Sequence, residues 1–445
     1  MSLSRSRAAG SRTVVLTCLA VTILDGVDLF AFGAVLPILL QEQVWGMTTV
    51  QAGLVGSLSV FGMMIGAMLA GYLTDVVGRR PIVLGCVVAF SVFTGLCAIA
   101  PSLEAFAVLR LLAGLGFGGA LPTVIALTME YARLDRRQSA NGVVQTGFPI
   151  GGAIVSILAI FAVPSFGWES LFAAAGLVGV LSFLVAWRCL PESAAFLVAR
   201  GRHEEAQALV RRYDLDAGAE SGLAVQRADA AAPARRSAFR LLTAPGYRVA
   251  TVLFPLISFL GLLVGYGMNT WTPQILRSMG YDLGSALSFL LAFNLGSAAG
   301  MLVLTGLADR FGPRRVIASG FLMLSACVAV LTLGPAQGIV FALVLLIGFC
   351  VASQSAMYGF VGVHYPPAAR GTALGLVTGL GRLGGVVGPI LVGVVIGAPA
   401  GATGVFWTFA GLGLAAAVLV ALVPRGGGVD GGTRAAEEPA QQRAT

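Results

Sequence analysis

Long apolar runs recur along this chain, parted by short polar connections. Twelve of them are long enough to cross a bilayer as helices, which takes about 20 apolar residues at a rise of ~1.5 Å each. They cover roughly 13–40, 50–74, 81–100, 104–130, 138–162, 168–190, 247–276, 284–308, 315–334, 336–363, 370–397 and 402–424. Most connections are as short as "APSLEA" and "GPAQG". Residues 191–246 are the exception: rich in Ala and Arg, with one short helical stretch around "HEEAQALVRRY", they divide the runs six and six. The expectation is an all-α integral membrane protein of twelve transmembrane helices in two six-helix pseudo-repeats. Its parts are a first half (1–190), a cytoplasmic central loop (191–246), a second half (247–424) and a disordered cytoplasmic tail (425–445). Arg5, Arg7 and Arg12 precede the first run as they would a secretory signal. That run is too long for a signal and holds two aspartates, so it reads as the first spanning helix.

Composition sharpens this. Only 11% of residues are charged and 57% are hydrophobic, against about 25% charged in soluble proteins, so lipid faces most of the surface. Most of the 60 glycines lie inside apolar runs, where small residues let helices approach closely. All 28 basic residues are arginine and the net charge is +8. Their placement, not nucleic-acid binding, accounts for that charge. Arg79, Arg80, Arg133, Arg136, Arg137, Arg310, Arg314, Arg315 and Arg370 fall on the side of both termini, and only Arg277 falls on the other. Positive residues stay in the cytoplasm, so both termini are expected there. The six cysteines are scattered without metal or disulfide spacing, and His203 and His364 lie near span ends or in a loop. There is no nucleophile–base set, metal-ligand cluster or phosphate loop. An enzyme is therefore not expected, nor a cofactor beyond a proton as coupling ion.

The halves repeat. "GYLTDVVGRR" (71–80) follows the second run and "TGLADRFGPRR" (305–315) the eighth. Asp75 and Asp309, like Gly78 and Gly312, are 234 positions apart. Paired halves with a site between them are a recurrent transporter plan. These signatures resemble the major facilitator superfamily, with one departure: Val76 stands where the family usually has a basic residue, which Arg310 preserves. A narrower resemblance, to the aromatic acid/proton symporter family, lies in "DGVDLFAFGAVLP" (25–37), "RLLAGLGFGGALP" (110–122) and "YPPAARGTALGLVTGLGRLGGVVGP" (365–389). "LPESAAFL" (190–197) is shared with sugar-type members and does not discriminate. The resemblance implies proton-coupled uptake of a small aromatic carboxylate such as a hydroxybenzoate, by a protein working as a monomer in a bacterial inner membrane. Other organic acids, sugars or drugs, or a sensor on the same scaffold, remain rival readings.

Some residues stand out by depth. Asp25 is ~18 Å into its helix from the cytoplasmic end, near the midplane, with Asp28 ~4.5 Å further. Such charges cost a few kcal/mol or more in lipid, so they should line an interior cavity. A poorly hydrated carboxylate favours its neutral form and can take up and release protons, which assigns proton handling to Asp25 and Asp28. Arg382 reaches a similar depth and offers a planar fork for a substrate carboxylate. A permanent Asp–Arg pair that only fixes packing is the competing account. Arg110, ~9 Å from the outer end, could receive the anion, snorkel outward or pair with an aspartate. Asn294, Gln354 and Tyr358 could hydrogen-bond a ring hydroxyl; Trp271 and Phe148 could stack on a ring. Gly71, Asp75, Gly78, Arg79, Arg80, Glu130, Asp309, Arg310, Gly312, Arg314 and Arg315 form a candidate cytoplasmic gate, with the second-half signature expected to be the fuller clamp.

Overall fold

The computed structural model of the chain describes residues 2–132, 137–213 and 240–424. The tail and residues 214–239 of the central loop, with Arg133 and Arg136, lie outside the described residues. The first half holds α1 (Ser2–Gln41), α2 (Thr49–Val77), α3 (Arg79–Cys97), α4 (Leu103–Tyr131), α5 (Arg137–Phe166) and α6 (Glu169–Cys189). Two short helices follow, α7 (Ala194–Ala199) and α8 (His203–Tyr213). The second half holds α9 (Arg248–Ser278), α10 (Leu283–Phe311), α11 (Pro313–Leu331), α12 (Gln337–Val351), α13 (Ser353–His364), α14 (Pro367–Ile396) and α15 (Gly401–Leu422). Among the described residues twelve helical spans are long and apolar enough to cross a membrane, with α12 and α13 forming one of them. All twelve fall on the apolar runs of the sequence, to within a few residues at each end.

Local chemistry sets the ends. Thr48 and Gln51 make a reciprocal capping box at the start of α2, and Asp282 caps α10 by accepting from the Ser285 N–H at 3.0 Å, each satisfying donors that a helix start leaves open. The repeat is visible in the backbone. Gly78 (φ 108°) and Gly312 (φ 89°) occupy the same turn in each half, between α2 and α3 and between α10 and α11. A side chain there would be strained, which is why the signature carries glycine twice. Phe161, Phe166, Leu333 and Trp407 are exposed; apolar groups of that size on an outer surface mark a lipid-facing wall.

The halves meet along one side. A Cβ on Gly53 of α2 would fall 2.6 Å from the Pro389 carbonyl of α14, and one on Gly33 of α1 3.0 Å from the Asn269 carbonyl of α9. Only glycine admits backbones this close. Arg277 donates to Gln41 where α9 and α1 end, and the Ser57 hydroxyl to the Val386 carbonyl at 2.5 Å. Among the described residues the hydrogen bonds joining the spans of the two halves run from that end down to Arg382 and no further. Below it Gly371, Gly375 and Gly379 of α14 face open space, so the halves part toward the arginine-rich face.

Candidate functional site

Two aspartates three residues apart share a helical face, and α1 turns Asp25 and Asp28 inward, each about 2% exposed. Their surroundings differ. α4, capped by Ser102 at the Ala105 N–H, carries Arg110 into the same interior. Arg110 Nη1 donates to Asp28 Oδ2 at 3.0 Å and to the Asp28 carbonyl at 3.4 Å. The guanidinium lies 5.9 Å from the Phe32 ring centroid and 5.8 Å from that of Phe172, arrangements that add cation–π attraction. Arg110 is therefore a fully buried partner of Asp28 inside the first half, and does not face the cleft. Asp25 has no such partner: among the described residues it makes no ion pair, and its Oδ1 is buried without a hydrogen bond. The Cys86 thiol of α3 lies within its electrostatic range.

Across the seam, α14 presents Arg382. Its Nη1 donates to the Met63 carbonyl of α2 at 3.2 Å, and among the described residues no carboxylate lies within ion-pair distance of it. Gly118 of α4 sits against the same Met63 peptide, so the "GLGFGG" stretch seats the carbonyl that Arg382 reads. Tyr266 of α9 closes the group. Its phenol is within electrostatic range of Asp25 on one half and of Arg382 and Tyr358 on the other. Gln354, two residues past the break at Ala352, donates to Ser258 Oγ at 2.8 Å and to the Tyr358 hydroxyl at 3.1 Å. Asn294 is buried at the seam beside Gly152 and accepts from Asn269 Nδ2 at 3.2 Å. Trp271 is fully buried, with its indole N–H on the Pro389 carbonyl at 3.0 Å; it braces α14 and does not face the cleft. Phe148 is half-buried, edge-on to Phe30 at 4.9 Å. Sequence reasoning missed Tyr266, Ser258 and Asn269, although a polar atom at mid-span was the signal in each.

The family model described as Major Facilitator Superfamily matches residues 18–305 and 286–443. The chain is 35% identical over 408 residues to a gentisate transporter of Corynebacterium glutamicum, spanning 91% of this chain and 85% of that protein. It is 32% identical over 424 residues to a gallate transporter of Pseudomonas putida, spanning 94% and 93%. The inward-open structure of the xylose transporter XylE from E. coli superposes with a TM-score of 0.73 at 17% identity, covering 93% of this chain and 96% of that one, a likeness of fold. The chain belongs to the major facilitator superfamily, in its aromatic acid/proton symporter family. It is a membrane transporter and not an enzyme, and the family's coupling ion is the proton.

The arginine-rich face of this facilitator holds a second network. Arg79 Nη1 pairs with Glu130 Oε2 at 2.6 Å. Glu130 also accepts from the Ser193 hydroxyl at 2.8 Å and from the Ala195 N–H at 3.1 Å. Glu192 Oε1 accepts from the N–H groups of Arg79 (2.8 Å), Arg80 (3.2 Å) and Ser193 (2.8 Å), while the Tyr131 hydroxyl donates to the Glu192 carbonyl at 2.5 Å. "LPES" thus ties α7 to the turn at Gly78. Arg200 donates to the Val76 carbonyl, so the backbone serves at the position that lacks a basic side chain. In this state the two signatures are engaged differently. Asp75 and Gly71 lie on an exposed stretch of α2. In the second half Asp309, Arg310 and Arg315 are exposed, Arg310 lies over the neighbouring Phe311 ring, and Arg314 donates to the Ala421 carbonyl. The first signature is held by Glu130 and Glu192, whereas among the described residues no carboxylate pairs with Arg310, Arg314 or Arg315, and the halves are apart here.

Proposed function

We propose that this transporter carries a small hydroxylated aromatic carboxylate into a bacterial cell with a proton, the arginine-rich face being cytoplasmic and the monomer the working unit. The observation that carries this is Arg382, a guanidinium at the seam with a backbone carbonyl as its only hydrogen-bond partner among the described residues. An anion can take it without breaking an existing ion pair. Relatives named for gentisate and gallate support the substrate class, and the arginine bias supports the orientation.

The two halves then divide the work. Arg382 binds the carboxylate by its fork, with Tyr266 and Tyr358 beside it for the ring and its hydroxyls. Asp28 stays ionised against Arg110. Asp25, buried without a cation, carries the transported proton, because closing the site over a bare carboxylate forfeits hydration with nothing in return. With substrate on Arg382 and a proton on Asp25, neither charge is left unpaired when the seam shifts, and the loaded site can reorient.

The test is uptake of labelled gentisate or 4-hydroxybenzoate into proteoliposomes. Accumulation should follow an imposed pH gradient and collapse with a protonophore. Accumulation indifferent to the gradient would overturn the coupling. Arg382→Ala should weaken binding by roughly 2 kcal/mol or more, about 30-fold, by calorimetry on purified protein; Arg382→Lys should weaken it less. Wild-type affinity in Arg382→Ala, or tight binding of the neutral amide by wild type, would overturn the role of Arg382.

A further inference from the structure

Away from the seam, the inner ends of α3 and α6 and the two short helices enclose a cavity of about 550 Å³. Four arginines line it, Arg80, Arg188, Arg202 and Arg212, against two carboxylates, Glu192 and Glu205. Both carboxylates are already engaged. Glu192 is held by three backbone N–H groups, and Glu205 makes a bidentate pair with Arg202 at 2.7 and 2.6 Å. That pairing holds the Glu205 carboxyl below the ordinary carboxylate range, so it does not neutralise the other arginines. Among the described residues Arg188 makes no hydrogen bond or ion pair. Arg80 gives one N–H to the Trp187 carbonyl at 2.6 Å, and its Nε is buried without a partner among the described residues. A buried donor left open costs free energy until something accepts from it.

The surroundings point to the source of that acceptor. Directly above, Leu184, Val185 and Trp187 of α6 are exposed to the bilayer, and Trp marks the headgroup level of a membrane protein. Leu197 and Leu209 give the cavity an apolar floor. Basic pockets at this height hold anionic headgroups. We propose that this cavity is a binding site for a phosphate-type anion, filled by the headgroup of an anionic phospholipid from the leaflet on the arginine-rich side. A phosphate diester would accept from Arg80, Arg188 and Arg212, while its chains lie along the exposed faces of α3 and α6. The site lies outside the transport pathway and does not depend on the identity of the substrate.

The experiment is thermal unfolding of the purified full chain in detergent, titrated with phosphatidylglycerol, phosphatidylcholine or inorganic phosphate. Phosphatidylglycerol should raise Tm above phosphatidylcholine by at least ~2 °C, the scale of saturating a ligand site in a chain of this size. Arg188→Gln/Arg212→Gln, at two exposed positions, should lose that increment and keep the response to phosphatidylcholine. Native mass spectrometry should show one phosphatidylglycerol retained by wild type and none by the double variant. If phosphate alone reproduces the shift and blocks the lipid, the anion site stands and its occupant is soluble. Equal shifts from the two lipids in wild type, or a full phosphatidylglycerol response in the double variant, would overturn the proposal. Should the double variant unfold, Arg212→Gln alone makes the same test.

Discussion

Asp25 and Asp28 carry the same side chain on the same helical face, and the difference between them is Arg110. A mutation at each should therefore fail differently. Asp28→Asn leaves Arg110 fully buried with its charge uncompensated, a loss of about 3–5 kcal/mol, and should lower Tm sharply. Asp28→Asn/Arg110→Gln should recover part of that stability. Asp25→Asn removes no ion pair and should leave Tm close to wild type. It should abolish accumulation driven by a pH gradient while preserving exchange of labelled for unlabelled substrate, because a site that is permanently neutral can still reorient when loaded. Lost exchange together with lost accumulation would show that Asp25 serves binding and not the proton. The inward placement of both aspartates and of Arg382 was legible in the sequence because a charge in the middle of an apolar run is costly against lipid. The pairing was not legible. Depth along a helix comes from counting residues, but the direction in which a side chain points depends on how the helices are rotated and tilted. Arg110 counted as shallow and still reaches Asp28 from a neighbouring helix, while Trp271, a candidate to stack on a ring, donates to the Pro389 carbonyl and is fully buried.

The turn between α2 and α3 shows how helices are joined at the arginine-rich face. Twelve spans and a repeated signature could be read from the sequence, since bilayer thickness fixes the length of an apolar run and duplication fixes an offset. The function of "LPES" could not, because its partners are sixty to over a hundred positions away in sequence and its motif is common to several branches of the family. In the structure Glu192 accepts three backbone N–H groups on both sides of that contact. Glu192→Ala leaves those donors without an acceptor, at about 1–3 kcal/mol each where they are buried. Limited proteolysis should then cut the segment carrying α7 and α8 faster than in wild type, and Tm should fall. Asp309→Asn, at an exposed position without a partner among the described residues, should leave both measurements unchanged. Equal protection of Glu192→Ala and wild type would show that α7 is held by its apolar contacts instead.

The arrangement of the two halves fixes what must move. Their backbones touch through Gly33, Gly53 and Gly393 on the side away from the arginine-rich face and part below Arg382, so reaching the opposite state requires this glycine seam to separate. A Cβ at Gly397, just past the end of α14, would lie 2.9 Å from the Thr49 hydroxyl of α2, and cysteines at these two positions meet the spacing a disulfide needs. Thr49→Cys/Gly397→Cys should cross-link under mild oxidation, at helix ends far from Asp25 and Arg382. Among the native cysteines Cys18, Cys97, Cys327 and Cys350 are buried and Cys86 and Cys189 are half-buried, so oxidised wild type is the control. The locked protein should lose uptake and exchange alike, and reduction should restore both. Its affinity for the aromatic acid should stay at the wild-type value, because the open side of the site is untouched and Arg382 keeps its place. That separation of binding from movement distinguishes a gate from a damaged site: a mutant that had merely distorted the seam would lose affinity too and would not recover on reduction. If the cross-link forms completely and transport continues at the wild-type rate, the outer seam is not the barrier that opens, and access must alternate through some other pair of helices.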